Sequence, residues 1–215
     1  MDFNTGSSGA GGSAPPPGGV GAAAGGPGRE FDLSDPVASF VAAVRGVVLS
    51  PTAFFRSIAR GGDYVSPLVF AAICYGISAV LGGIVGVIAG NEGFGGFILG
   101  IISGIIGGAV GLFIGAGIYH LLVMLLVKPQ HAGYEATFRV AAYASVTTMV
   151  SWIPFIGWIL SLYGIYLSIV GIREMHSTTT GRAAAVVLIP AVIVFLLVII
   201  LLVLVGVALF FGSRG

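Results

Sequence analysis

Three histidines carry most of the chemistry this sequence offers, because imidazole transfers protons and binds metals near neutral pH. His120 lies inside a long apolar run, whereas His131 and His176 lie in polar loops. An ionisable group within a membrane segment marks a functional position by default, which makes His120 the candidate intramembrane polar residue. The favoured alternative is a hydrogen-bonded structural histidine, because His120 lies near the end of its run.

No enzyme motif accompanies the histidines. Neither Cys nor a carboxylate lies at metal-ligand spacing from them, and HExxH, GxSxG and phosphate-loop motifs are absent from the sequence. Cys74, the only cysteine, lies in an apolar run as a packing residue. Glu135 and Arg139 have the i,i+4 spacing of a surface ion pair. The sequence therefore predicts no enzymatic activity, no cofactor, no metal and no identifiable small-molecule substrate.

The elements that position these residues are typical of a membrane protein. Hydrophobic residues make up 57% of the chain and charged residues 8%, and the mean hydropathy is +1.08. A soluble domain carries roughly a quarter charged residues, so no water-soluble fold covers itself with so few. A net charge of +1 provides no field that attracts nucleic acid. The predicted fold is an all-α, polytopic bundle of about five transmembrane helices in a lipid bilayer.

Three regions follow one another along the chain. Residues 1–30 are rich in Gly, Ala and Pro and are predicted to form a disordered tail. Residues 31–62 hold two short apolar stretches with sparse arginines, which predict interfacial amphipathic helices. Packing of these helices on the end of the bundle is the alternative. Residues 63–212 form the predicted transmembrane domain.

Five apolar runs predict the spans, at about 66–90, 97–127, 137–153, 155–172 and 183–211. The second run exceeds one span and is expected to be tilted or broken, and Pro190 is expected to kink the fifth. The third and fourth runs are short and meet at Pro154 in a tight hairpin. This hairpin either crosses the membrane fully or re-enters it from one side.

The basic residues orient the predicted bundle. If every run crosses, eight of the nine Lys and Arg residues fall on one side, and only Arg214 lies on the other. The positive-inside rule makes the richer side cytoplasmic, so the amino terminus is expected inside and the carboxyl terminus outside. Trp152 and Trp158 flank the Pro154 turn, and such aromatic pairs mark membrane interfaces, which favours full crossing.

Glycines at four-residue spacing are the predicted packing surfaces of the first two spans. Small residues let helix backbones approach closely in lipid, where no hydrophobic force drives helices together. Static packing inside one bundle is favoured because the glycines lie on more than one face, and homodimerisation is the alternative. The candidate positions are Gly82, Gly86, Gly90, Gly100, Gly104 and Gly108.

Several stretches, taken in order, resemble one family. Ser50 to Phe55 and Tyr64 to Leu68 are similar to the opening of the YIP domain family (Ypt/Rab-interacting membrane proteins), in its prokaryotic branch. The stretch 134–144, the turn Ile153 to Gly157 and the exit 163–176 resemble its later segments. The resemblance covers roughly residues 36–205. Its motif positions in this chain are Pro51, Phe54, Phe55, Pro67, Arg139, Tyr143, Pro154 and Gly157.

The resemblance implies a five-span protein with a cytoplasmic amino terminus, here in a prokaryotic plasma membrane. Eukaryotic members act in vesicle trafficking and bind small GTPases and one another, but this chain lacks the Asp-Leu-Tyr-Gly-Pro stretch typical of many of them. The leading hypothesis is a protein that shapes the membrane or organises partners, either a second copy of itself or another membrane protein. The alternative is a small transporter or channel subunit, suggested by His120, the long second span and Pro190.

Overall fold

The computed structural model describes residues 29–91, 93–127 and 131–212, and these form helices without any strand. The predicted tail up to residue 28 lies outside them, as do Lys128 and Arg214. In chain order the helices are α1 Pro36–Leu49, α2 Pro51–Ser57, α3 Val65–Ile88, α4 Phe94–Leu126, α5 Tyr134–Ala144, the 3₁₀ helix Ser145–Val150, α6 Ile156–Met175 and α7 Thr180–Gly212. The all-α prediction is confirmed.

Four of the described helices, α3, α4, α6 and α7, are long and apolar enough to cross a bilayer. The second predicted span is one continuous helix of 33 residues and is not broken. Helix α7 likewise continues through Pro190. Large apolar side chains cover the outside of these helices, among them Leu99 at 66% exposure and Leu202 at 65%. Such a surface is stable in contact with lipid tails and not with water.

The third predicted span is built differently from the others. Helix α5 has 11 residues and the 3₁₀ helix has 6. Rises of about 1.5 and 2.0 Å per residue give them a combined length of roughly 28 Å, close to the ~30 Å of a hydrocarbon core. Eight residues of α5 are buried, and the helix packs against α3, α4 and α6. Full crossing of the Pro154 hairpin stays a prediction, which this length supports.

Helices α1 and α2 pack against the bundle, where α2 contacts α6 and α1 contacts α2, α5 and the 3₁₀ helix. Phe54 and Phe55 of α2 are buried in the core that α6 also lines. Ala43 and Val47 of α1 are fully buried in the same core. The proline after Ser50 starts α2 immediately, because proline suits the first turn of a helix. The two helices are thus part of the folded domain.

Candidate functional site

Three polar networks lie at the end of the bundle formed by residues 29–67, residues 131–144, the last turns of α4 and α6 and the start of α7. We call this region the polar end. It gathers six of the eight family-like positions, namely Pro51, Phe54, Phe55, Pro67, Arg139 and Tyr143. Pro154 and Gly157 form the turn at the opposite end.

Arg139 is the centre of the first network. Its side chain is only 3% exposed, forms an ion pair with Glu30, and donates from Nη2 to the Asp63 carbonyl at 2.9 Å. A buried guanidinium costs several kcal/mol unless it is paired, so these contacts hold the segment before α1 against α5. The predicted surface pair between Glu135 and Arg139 is wrong, because Arg139 is buried and pairs with Glu30. Glu135 accepts from the Gly62 N–H at 3.1 Å.

Tyr143 extends this network one turn along α5. Its hydroxyl donates to Glu30 Oε1 at 3.2 Å and accepts from the Phe31 N–H at 3.3 Å. Its ring lies 4.9 Å, between centroids, from the rings of both Phe54 and Phe70. The sequence pattern assigns Glu30 to the tail, yet its carboxylate contacts Arg139 and Tyr143. Phe31 is buried in the aromatic core.

The three histidines form the second network, although they come from separate segments. Thr137 Oγ1 lies 3.0 Å from His120 Nδ1 and 3.0 Å from His176 Nε2. The His131 ring centroid lies 5.6 Å from that of His120. His176 follows α6 directly and is 1% exposed. Burial, aided by nearby His120, His131 and Arg60, lowers the pKa of His176 to about 4, so its side chain is neutral at pH 7.

The second network supports the structural interpretation of His120. A threonine hydroxyl donates one hydrogen bond and accepts others, so Thr137 can serve both imidazoles at once. Nδ1 of His131 and of His176 are buried without a partner among the described residues. Within the ranges the structure describes, no group of three or more His, Cys, Asp or Glu side chains is placed to hold a metal ion.

The third network ties α2 to the end of α6. Glu174 accepts from Arg56 Nε at 2.6 Å and from Arg173 Nε at 2.7 Å. Arg60 Nη2 donates to the Glu174 carbonyl at 3.3 Å and to Ser177 Oγ at 2.9 Å. Sequence analysis missed this cluster because Arg56 and Glu174 are 118 positions apart, and no local pattern marks such a pair.

The helices that build these networks match a known family in sequence. The Yip1 domain model matches residues 45–211, which is most of the chain. The chain belongs to the Yip1 domain family. The predicted family is confirmed, and together with the apolar helices it establishes an integral membrane protein in a lipid bilayer. No match was found among curated proteins or among solved structures.

Two family-like positions of this Yip1 domain shape the turn that follows the 3₁₀ helix. A Cβ atom on Gly157 would lie 2.6 Å from the Ser151 carbonyl oxygen, so only glycine fits there. Pro154 precedes Phe155, whose φ of 64° lies in the left-handed region uncommon for a non-glycine residue. Phe155 and Trp158 are 86% and 81% exposed, which suits aromatic side chains at a membrane interface.

The six predicted packing glycines of the Yip1 domain have different surroundings. Three of them lie in tight helix contacts, where an added Cβ would come within 3.1 Å of a neighbouring side chain: Gly82, Gly104 and Gly108. The Gly108 contact is the closest, at 2.5 Å from the Tyr75 ring.

The other three glycines have no such contact described. A Cβ on Gly100 would meet nothing within 4 Å, and Gly90 has a φ of 72° in the turn after α3. Gly86 accepts from the Asn91 N–H at 3.0 Å. The Cβ distances therefore support static packing at Gly82, Gly104 and Gly108.

A cavity of about 350 Å³ lies among α3, α4, α5, the 3₁₀ helix and α6. Among the described residues that line it, none is charged. Four hydroxyl groups in its wall donate to carbonyls of their own chain segment three or four residues earlier, those of Ser145, Thr147, Ser161 and Ser168. These hydroxyls are satisfied locally, as serine and threonine commonly are in membrane helices.

Proposed function

We propose that this Yip1 domain protein is a non-enzymatic membrane protein that shapes the bilayer through α1. The second apolar face of α1 is the observation that carries the proposal. Its inner face is buried, including Ala43 and Val47. On the opposite face, Val37, Val41 and Val48 are 76%, 44% and 38% exposed. A helix that is apolar on both faces fits the boundary between a protein core and lipid.

Several contacts hold α1 at this boundary. Tyr163 of α6 donates its hydroxyl to the Val48 carbonyl at 2.6 Å, and the Phe40 ring lies 5.1 Å from that of Phe70. Because α1 is attached to the core, it cannot leave the leaflet without losing these contacts. Arg45 is exposed on the outer side, and its long side chain can carry its charge to the water beside the membrane. An apolar face inserted into one leaflet only expands that leaflet and favours curvature.

The proposal also places the polar end in the cytoplasm of a prokaryotic plasma membrane. Its support is the positive-inside rule applied to the basic residues of this end, which include Arg45, Arg56, Arg60, Arg139, Arg173 and Arg182. The single native cysteine is buried, so a cysteine introduced for the exposed Ala59 can report the side. We expect a membrane-impermeant thiol reagent to label it in inside-out vesicles only. Labelling in intact cells would reverse the orientation.

The shaping role is tested by reconstituting the full-length protein into vesicles and measuring their diameters by electron cryomicroscopy. We expect smaller vesicles as the protein density rises. Isosteric replacement of all three outer valines by threonine (V37T/V41T/V48T) should abolish this effect. The matched control carries three equivalent changes on the lipid-exposed part of α7, at Val192, Val198 and Val203, and should keep it.

Unchanged vesicle diameters with the wild-type protein would refute bilayer shaping by α1. Crosslinking in native membranes then tests the remaining part of the hypothesis, that the protein organises partners. Recovery of a second copy or of another membrane protein at the polar end would indicate that the protein organises partners. Recovery of neither would contradict both roles.

A further inference from the structure

The polar end holds a basic cavity that the bilayer-shaping role does not use. It measures about 600 Å³ and is lined by Arg56, Arg60, Arg173, Glu174, Ser177 and Thr178. Three guanidinium groups face one carboxylate there, so the lining has a formal charge of +2. An excess of cationic groups around an open cavity favours an anionic ligand.

The guanidinium groups retain hydrogen-bonding capacity toward such a ligand. Each has five N–H donors. The described contacts of Arg60 engage Nη2, and Arg56 extends from the surface with 67% of its side chain exposed. Glu174 already accepts from both Arg56 and Arg173, so its oxygens cannot satisfy all the donors around them. Planar guanidinium groups pair well with phosphate oxygens.

The loop between α6 and α7 adds a second polar element to the cavity. Thr178 Oγ1 is buried and has no partner among the described residues. The loop is fixed by a left-handed Ser177, with φ of 49°, and by a hydrogen bond from the Thr178 N–H to the Arg173 carbonyl at 3.0 Å. Helix α7 begins at Thr180, so the positive end of its dipole adjoins the cavity.

We propose that this cavity binds a phosphate oxyanion at the membrane surface, as carried by an anionic phospholipid headgroup or by soluble phosphate. Its position supports this ligand class, because it lies where two membrane-spanning helices, α6 and α7, are connected. Basic pockets at that level suit phosphorylated headgroups. The anion then binds the remaining donors of Arg56 and Arg60. Arg173 adds positive charge from a position fixed by its contacts with Glu174, Thr180 and Thr52.

The test uses the full-length protein in a non-ionic detergent. Its thermal unfolding is followed by tryptophan fluorescence during titration with dihexanoyl-phosphatidylglycerol, dihexanoyl-phosphatidylcholine or inorganic phosphate. We expect a saturable rise in Tm with the anionic lipid. Arg60→Gln should raise the half-saturating concentration about fivefold, the effect of one arginine near an anionic headgroup. Arg45→Gln removes the same charge outside the cavity and should leave that concentration unchanged.

The other titrations and variants identify the source of the bound phosphate group and can overturn the proposal. Saturation by inorganic phosphate at equal or lower concentration would assign the site to soluble phosphate, and a requirement for the lipid would assign it to the headgroup. Glu174→Gln removes the competing carboxylate and should lower the half-saturating concentration even if Arg60→Gln does not fold. The proposal is overturned if no anion raises Tm, if phosphatidylcholine acts as well as phosphatidylglycerol, if Arg45→Gln and Arg60→Gln weaken binding equally, or if Glu174→Gln changes nothing.

Discussion

The polar end and the second half of α7 use their residues in opposite ways. At the polar end, Arg139 and Tyr143 bind partners more than 70 positions away, and each contact needs a particular donor or ring. In α7, every residue from 192 to 212 is exposed, and nearly all are Leu, Ile, Val or Phe. Lipid requires only hydrophobicity and a self-satisfied backbone, so these side chains are interchangeable.

This difference implies that a single substitution lowers the free energy of unfolding mainly when it lies at the polar end. The largest effect is expected from Arg139→Met, which leaves Glu30 as an unpaired, partly buried carboxylate. Breaking one side of a buried ion pair costs about 3–5 kcal/mol. The free energy of unfolding can be measured in mixed micelles, by circular dichroism against increasing denaturing detergent.

Arg45→Met is the control for this first comparison, because it removes an exposed arginine from the neighbouring α1. It should change the free energy of unfolding little. A double variant, Glu30→Gln with Arg139→Met, should recover part of the loss because no charge is left unpaired. Equal losses from Arg45→Met and Arg139→Met would show that the Glu30 pair does not stabilise the polar end.

A smaller, pH-dependent effect is expected at His176. Its pKa lies near 6.5 in an unfolded chain and about 4 in the folded protein, where His120, His131 and Arg60 surround it. The unfolded state therefore takes up the proton first, and the folded state loses stability as the pH falls from about 6.5 toward 4. The loss should reach about 2–3 kcal/mol between about pH 7.5 and pH 4.5.

His176→Gln is the variant that isolates this effect. Glutamine can still hydrogen-bond Thr137 but does not titrate. Unfolding curves of both proteins across this pH range should therefore diverge, with the wild type losing more stability in acid. If the free energies of unfolding of the two proteins differed by the same amount at every pH, folding would not lower the pKa of His176.

The same contrast explains what could be predicted from the sequence. The apolar runs that became α3, α4, α6 and α7 have a composition and length that only a membrane accepts, so the all-α bundle followed from them. The family-like motifs include Phe54, Arg139 and Tyr143, which the structure places in contacts of the polar end. Sequence patterns over neighbouring residues were therefore sufficient to predict features that depend only on those neighbours, such as an apolar helix of membrane-spanning length.

The contacts of the polar end could not be predicted in this way. Glu30 adjoins a low-complexity stretch, and in the sequence Glu135 lies much closer than Glu30 to Arg139. The pairing depends on the three-dimensional approach of α5 to the segment before α1. The same holds for Thr137, which no motif marks, although it joins two histidines 56 positions apart.

The prediction with the smallest expected effect compares one glycine from each of the two regions. A Cβ atom on Gly171 of α6 would lie 2.5 Å from Val140 Cγ1 and 3.1 Å from Phe55 Cζ, both in the buried core. Overpacking of that kind costs about 1–3 kcal/mol. A Cβ on Gly206 of α7 would meet nothing within 4 Å, so Gly206→Ala should be neutral or stabilise the helix by up to about 1 kcal/mol.

Both alanine variants add one methyl group to a membrane-spanning helix, so their hydrophobicity and helix propensity change alike. Any difference between their free energies of unfolding in the same micelles therefore reports packing alone. We expect Gly171→Ala to be the less stable protein. If the two variants had equal stability, the core where α6 meets Val140 and Phe55 would be able to relax around a methyl group, and the polar end would be no more specific in its packing than the lipid-facing helix.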